Sequence, residues 1–380
     1  MARIARCGTV AGLVPTRAQD TNGATHEALE AVVEETVRRS VLGVSVAVVT
    51  GDGKRWLTAG GLADLARGTP ARADTLYLWF SMTKLVTATA AMELFDDGLL
   101  DLDEPVRRWL PEFPPERDGA RPVRVRHLLS HSSGLANPMP LRWVHPADQP
   151  GLDSRELTLR LLRRHRRLRF PPGAAGQLLN LGYLALGEVI AAAAGRPFTE
   201  HVRDRVLRPL EMATTGFGYP VDAAARRATG YHPRRSPMTP LLRALLRPGI
   251  LGPPAGRFVS FHRFLVDGAA YGGLVGSVED AARFLSSHLD DRRSILSSAS
   301  RAAMQRTAAR GRRLEVALGW YRRGRPQPGP RHLEHLGGGA GFWNMMRLYP
   351  ELGLGVVTTG NATRYNHEAI ADAATRLKSA

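Results

Sequence analysis

The sequence predicts an α/β (α+β) fold: an antiparallel sheet flanked by terminal helices, with a mostly helical lobe inserted. Three observations predict it. A strand–turn–strand pattern beside a helical pattern occurs near each end of the chain, and the long middle is dominated by helical periodicity. The 380 residues are 43% hydrophobic, with 39 Gly and 26 Pro, which is the composition of an ordinary globular protein and not of a low-complexity chain. A chain of this length forms one large core or divides into two lobes.

Each element follows from its residues. Over 26–40, Leu29, Val32, Val33 and Val37 share one helical face, with Glu27 early and Arg38 and Arg39 late, as the helix dipole favours. Val44–Thr50 is β-branched and reads as a strand, Gly51-Asp52-Gly53 as a turn, and Arg55–Ala59 as the returning strand. At the far end, Phe342–Tyr349 and Leu354–Thr359 flank Pro350-Glu351-Leu352-Gly353, and a helix covers Glu368–Leu377. The expected organisation is a poorly ordered tail over 1–25 and one domain over 26–380. Its α/β lobe comes from 26–80 and 300–380, its helical lobe from 81–300. In that lobe Leu85, Ala88, Met92 and Phe95 make one apolar face before Gly98, and Ser277-Val278-Glu279-Asp280 matches a capping box.

Composition excludes several functions. Lys+Arg number 52 against 35 Asp+Glu, a net charge of +17, and all but Lys54, Lys84 and Lys378 of those cations are arginines. The run Arg163-Arg164-His165-Arg166-Arg167-Leu168-Arg169 has no interleaved aromatics, so it reads as a solvated helix face, and nucleic acid is not an expected partner. The lone Cys7 excludes an internal disulfide framework and any CxxC site, in keeping with a reducing compartment. No apolar run approaches transmembrane length, and Gly8–Pro15 is interrupted by Thr9 and Gly12, so the expected location is the cytoplasm. His127 and His131 are four apart but lack the Glu and Cys neighbours of a metal site; they read as turn residues, and no metal is expected. The apolar stretch 239–252 carries Arg243 and Arg247 four apart. A lid, a peripheral contact with anionic lipid, and packing on the core are all compatible with it.

The chemistry centres on Leu78-Trp79-Phe80-Ser81-Met82-Thr83-Lys84, which sets a serine at the start of an amphipathic helix and a lysine three residues later on the same face. A serine hydroxyl needs a base to become a nucleophile, and lysine serves only where burial or a neighbouring cation lowers its pKa. Arginine stays protonated and cannot serve, so one of only three lysines standing here is informative. The Ser81 amide, at a helix N-terminus, is placed to hold an oxyanion.

Taken with Gly98-Leu99-Leu100-Asp101-Leu102-Asp103-Glu104-Pro105-Val106 and His127-Leu128-Leu129-Ser130-His131-Ser132-Ser133-Gly134-Leu135, this order resembles the serine β-lactamase and penicillin-binding protein superfamily. The nearest branch is the class C-like one of β-lactamases, D-alanyl-D-alanine peptidases and esterases, over about residues 27–375. The resemblance implies a β-lactamase/transpeptidase-like fold without metal or organic cofactor. It also implies a serine hydrolase that acts through an acyl-enzyme on an ester, amide or β-lactam bond of a small-molecule or peptide-like substrate. Ser81 would attack, Lys84 would take its proton, and His335-Leu336-Gly337 would be the third motif. The Gly338 amide would then be the second oxyanion donor, with His335 and Gly337 against the substrate. Gly268-Ala269-Ala270-Tyr271-Gly272-Gly273-Leu274 resembles a segment that lines the site, making Tyr271 a pocket residue.

The second motif departs from the pattern. Asn180 falls on the asparagine of Tyr-x-Asn and would orient substrate, but Leu178 stands where the tyrosine is expected. Leucine cannot pass a proton, and Tyr183 occupies a position normally filled by a packing aromatic. A general acid–base group contributes about 100- to 10,000-fold. Two readings stay open: a slow enzyme that acylates through Lys84 alone, or a silent relative that binds a peptide or lipid ligand in the same cleft.

Overall fold

The computed structural model describes residues 23–114, 121–324 and 329–379. The segment around Cys7 and all but the last three residues of the expected tail lie outside these. Helix α1 (Gly23–Arg39) leads into β1 (Gly43–Thr50), β2 (Arg55–Asp64) and the short edge strand β3 (Thr69–Pro70). The sheet is completed from the far end by β4 (Ala309–Arg310), β5 (Leu314–Val316), β6 (Tyr321–Arg323), β7 (Leu333–Gly339), β8 (Phe342–Tyr349) and β9 (Leu354–Gly360). Its order is β4-β5-β6-β7-β8-β9-β1-β2-β3, with every neighbouring pair antiparallel. The two predicted hairpins therefore join along β1 and β9, where Val44 pairs with Gly360 and Thr50 with Leu354.

Alternation along β1 builds two cores. Val44, Val46 and Val48 pack with Leu29 and Val33 of α1 and with Ile370 and Ala374 of the last helix, α7 (His367–Ser379). Ala47 and Val49 face the larger core, shared with Leu285 of α6 (Val278–Ser287). Buried on both faces, β1 is apolar along most of its length. β2 runs five residues beyond its predicted end, through Gly60 and Gly61. Gly61 has φ +76° and a Cβ there would meet the Leu42 carbonyl, so only glycine lets the strand pass so close to the end of α1.

The middle of the chain supplies α2 (Thr83–Asp96), α3 (Ser154–Arg164), α4 (Asn180–Ala194), α5 (Met238–Leu245) and α6. Three small sheets are present among the described residues: 77–78 with 275–276, 144–146 with 264–266, and 231–233 with 258–261 and 251–255. Two expectations need correction, and one left open is narrowed. Helix α2 is buried on all sides from Thr83 to Leu94, whereas Phe95 is 41% exposed, so α2 is a core helix and not an amphipathic one. The capping box is half made: the Ser277 hydroxyl accepts the Asp280 N–H, but the Asp280 carboxylate turns to Thr214 and Thr215. Residues 239–252 are part core and part surface, with Thr239 and Ile250 buried and Leu241 exposed.

The arginine-rich run begins with the last two residues of α3, which buries Leu157, Leu161 and Leu162; its arginines are exposed, but beyond Arg164 they lie on a turn and loop and not on the expected helix face. Among the described residues no helix is long and apolar enough to cross a membrane.

Candidate active site

The Ser81 turn is fixed from three sides. Residues 77–78 pair with 275–276, Trp79 N–H donates to the Leu274 carbonyl at 2.9 Å, and Asn344 Nδ2 of β8 donates to the Leu78 carbonyl at 2.9 Å. Ser81 then lies in a single 3-10 turn, Phe80–Met82, that runs directly into α2. Phe80 has φ +48°, His131 +52° and Ala340 +41°; among the described residues only Glu211 is another non-glycine with positive φ. Backbone strain of this kind costs about 1–3 kcal/mol per residue and persists where the surroundings over-determine it. The residue before Ser81, a buried histidine and the residue that follows the β7 glycines all carry it.

Lys84 is only 2% exposed. Its Nζ lies 2.8 Å from Ser81 Oγ and 2.9 Å from the main-chain oxygen of Tyr271. The rings of Tyr271 and Tyr183 stand 5.3 and 5.8 Å from the same nitrogen. Burial alone pulls Lys84 down to about 7, because removing an ammonium from water disfavours its charged form. The i, i+3 spacing thus delivers the predicted contact. The second partner, a carbonyl almost two hundred residues away, has no signal in the sequence.

Strand β7 lies against this turn. A Cβ at Gly337 would strike the Trp79 carbonyl and one at Gly339 the Phe80 ring, so glycine is required for the approach. β6 meets β7 at Tyr321–Glu334, and the next outward N–H, that of Leu336, donates to Tyr321 Oη at 3.0 Å. Because N–H groups alternate between the edges of a strand, the Gly338 N–H leaves the same edge.

His335 shares its strand face with Gly337 and is buried. Its Nδ1 donates to the Leu336 carbonyl at 2.9 Å, leaving Nε2 as a buried acceptor without a hydrogen-bond partner. His131 has the opposite arrangement. Its Nδ1 accepts the Leu179 N–H at 3.0 Å, so the unpartnered Nε2 carries the proton. The rings are 6.4 Å apart. Burial, then Lys84, lowers both, His335 to about 3 and His131 well below the ordinary imidazole value; both are neutral near pH 7. His127 Nδ1 accepts the Arg124 N–H at 3.0 Å, a turn contact as its spacing suggested, whereas His131 adds proximity to Lys84 that the sequence reading missed.

The remaining predicted residues are placed as follows. Asn180 opens α4, half-buried, with its N–H donating to Asn137 Oδ1 at 3.0 Å. The Tyr271 ring is buried edge-on to Trp143 at 5.4 Å, and it is the backbone of Tyr271 that meets Lys84. Tyr183 donates its hydroxyl to the Leu129 carbonyl at 3.0 Å and packs against His131, as expected of a packing aromatic. Leu178 joins Val316, Tyr321 and Leu336 in a small apolar cluster beside a cavity of about 460 Å³.

A helix-borne serine–lysine pair facing a glycine strand on an antiparallel sheet defines the serine β-lactamase class of architecture. The beta-lactamase family profile matches residues 29–380, and the chain belongs to that family. Esterase EstB of Burkholderia gladioli is 37% identical over 240 residues, 59% of this chain and 59% of the esterase, so the match spans less than two thirds of that relative's length. D-alanyl-D-alanine-carboxypeptidase/endopeptidase AmpH of Escherichia coli K12 is 25% identical over 323 residues, 80% of this chain and 77% of that protein. The D-amino acid amidase of Ochrobactrum anthropi SV3 superposes with a TM-score of 0.75 at 26% identity, covering 93% of this chain and 98% of the amidase.

Proposed function

We propose that the protein is a serine hydrolase that cleaves small esters through an acyl-enzyme. The observation that carries this reading is the 2.8 Å contact between Ser81 Oγ and a buried Lys84 whose pKa lies at about 7, which puts a neutral amine beside a hydroxyl at working pH. Lys84 Nζ takes the Ser81 proton as Oγ bonds to the substrate carbonyl carbon, and the carbonyl electron pair moves onto oxygen. The N–H groups of Ser81 and Gly338 hold that oxyanion. Its collapse breaks the bond to the leaving group, which receives the proton from the Lys84 ammonium. Water then attacks the acyl carbonyl with Lys84 again as base, releasing the acid and restoring Ser81. His335, Gly337 and Asn180 orient the substrate, and the Tyr271 carbonyl aims Lys84.

Leu178 supports an ester over an amide. With leucine at the tyrosine position, Lys84 is the sole proton carrier between serine and leaving group. An alkoxide of modest basicity leaves with little help, whereas an amine must be protonated first. The relation to an esterase agrees with this choice.

Leu178 also sustains the second reading, a silent relative holding a peptide or lipid ligand. Treatment with a fluorophosphonate and a penicillin, followed by intact-mass measurement, separates the two. One adduct lost in Ser81→Ala is the expected result, and failure of every probe to label would overturn the hydrolase reading.

A further inference from the structure

A second cavity, of about 330 Å³, is linked to the Ser81 turn through two phenylalanines of its lining. Phe264 and Phe342 form one wall of it, and their rings each stand 6.3 Å from that of Phe80, the residue before Ser81. Gly230 ties the cavity to the glycine strand, since a Cβ there would meet the Ala340 carbonyl and the Phe342 ring. The wall is further braced by Phe261 N–H donating to the Gly230 carbonyl at 2.9 Å.

The charge of this cavity is unbalanced. Arg67, Arg227 and Arg263 all line it, and among the described residues Asp64 is its only carboxylate. Both Asp64 oxygens are already engaged, one by the Arg67 N–H at 3.0 Å and the other by the Thr229 hydroxyl at 2.9 Å. Arg227 is half-buried, whereas Arg67 and Arg263 are exposed. The Arg227 guanidinium stands 5.7 Å from the Tyr219 ring, and its Nε is buried without a hydrogen-bond partner. Burial, then Arg263 and Arg67, pushes Arg227 below the usual guanidinium range. Leaving that Nε unsatisfied with two arginines beside it is costly, and an anion would relieve both the missing bond and the repulsion.

We propose that this cavity is an anion subsite that takes the carboxylate of a substrate whose scissile carbonyl lies at Ser81. The proposal deepens the esterase reading and rests on it for the position of the carbonyl. An acidic ester entering the cleft places its charged end against Arg227 while Phe264 and Phe342 cover its methylene chain. The sequence's arginine excess then has a local use, because a planar guanidinium suits a carboxylate better than an ammonium does.

The test compares p-nitrophenyl hemiesters of succinate, glutarate and adipate with the neutral butyrate, valerate and hexanoate of matching length. Wild-type kcat/KM should favour the acidic member of at least one pair. In Arg227→Gln that preference should fall by about 10- to 100-fold, the range of a charge-assisted hydrogen bond, with the neutral esters unchanged. The melting temperature should not drop, since the substitution removes a repelled charge. A preference retained in Arg227→Gln, or lost equally for the neutral esters, overturns the proposal. Binding distinguishes its failure from failure of the hydrolase reading: adipate should raise the melting temperature of Ser81→Ala protein but not of Ser81→Ala/Arg227→Gln. Arg227-dependent binding without turnover of any ester would reject the hydrolase and keep the anion site, whereas equal or absent shifts in the two proteins would reject the site.

Discussion

Glu334 and His335 are consecutive residues of β7, yet their side chains enter opposite layers. Glu334 meets Arg347 Nη2 at 2.5 Å and Arg323 Nε at 3.1 Å, and the network closes through Glu368 of α7, 2.8 Å from Arg347 Nη1 and in contact with Arg323. His335 faces the α2 layer, where Lys84 has no carboxylate partner and the two histidine Nε2 atoms are unpartnered. Both layers bury cations; Arg347 is 1% exposed and Lys84 2%. One stays charged because two carboxylates hold it, and the other is pulled down to about 7 by burial, with no carboxylate beside it among the described residues. The first arrangement fixes three strands to a helix, and the second is the one that the proposed mechanism uses as its base.

The largest separation of the two layers should come from Lys84→Met. It should lower the acylation rate about 100- to 10,000-fold, the loss expected for a general base, without lowering the melting temperature; stopped-flow labelling and thermal melts measure both. A parallel fall in stability would mean that Lys84 is structural. Arg347→Met should do the reverse, costing about 3–5 kcal/mol by breaking a buried ion pair and leaving Glu334 with Arg323 alone, as read by urea unfolding. A loss below about 1 kcal/mol, the value of an exposed pair, would erase the contrast. Leu178→Tyr should raise ester turnover about tenfold, short of an optimised acid–base group because leucine is packed against Val316 and Leu336. An unchanged rate would show a cleft already adapted to leucine.

The smallest effects are in pH dependence. The base form of Lys84 exists above its pKa, so acylation should climb with pH to a plateau with its midpoint at about 7. The folded pKa is lowered from 10.5 to about 7. Between those values the unfolded chain therefore binds more protons, and stability should rise with pH across that window. In Lys84→Met this rise should flatten.

The parts of this comparison differ in how far they can be read from the chain. Ser81 and Lys84 are legible because an i, i+3 spacing is local geometry, and β1, β8 and β9 because long β-branched or apolar runs have few other solutions. The anchoring of Lys84 by the Tyr271 carbonyl, and the opposed tautomers of His131 and His335, arise from residues brought together only by tertiary packing. Strands of two or three residues, such as β3 and β4, are too short to show a period. Helix α2 read as amphipathic because Thr87 and Thr89 count as polar in a pattern; in the fold the Thr87 hydroxyl is satisfied by the Ala270 carbonyl at 2.7 Å, which lets that face be buried.

The pairing of β1 with β9 also sets the order in which the molecule is made. β1 leaves the ribosome well before β9 and before Asn361, which lies 318 residues beyond Gly43 and whose side chain accepts the Gly43 N–H and donates to the carbonyls of Leu62 and Ala63. Such long-range closure makes folding slow and leaves strand edges uncovered meanwhile. Because β7 must lie against the Ser81 turn before the glycine edge faces the serine, the candidate site is assembled only after that long-range closure.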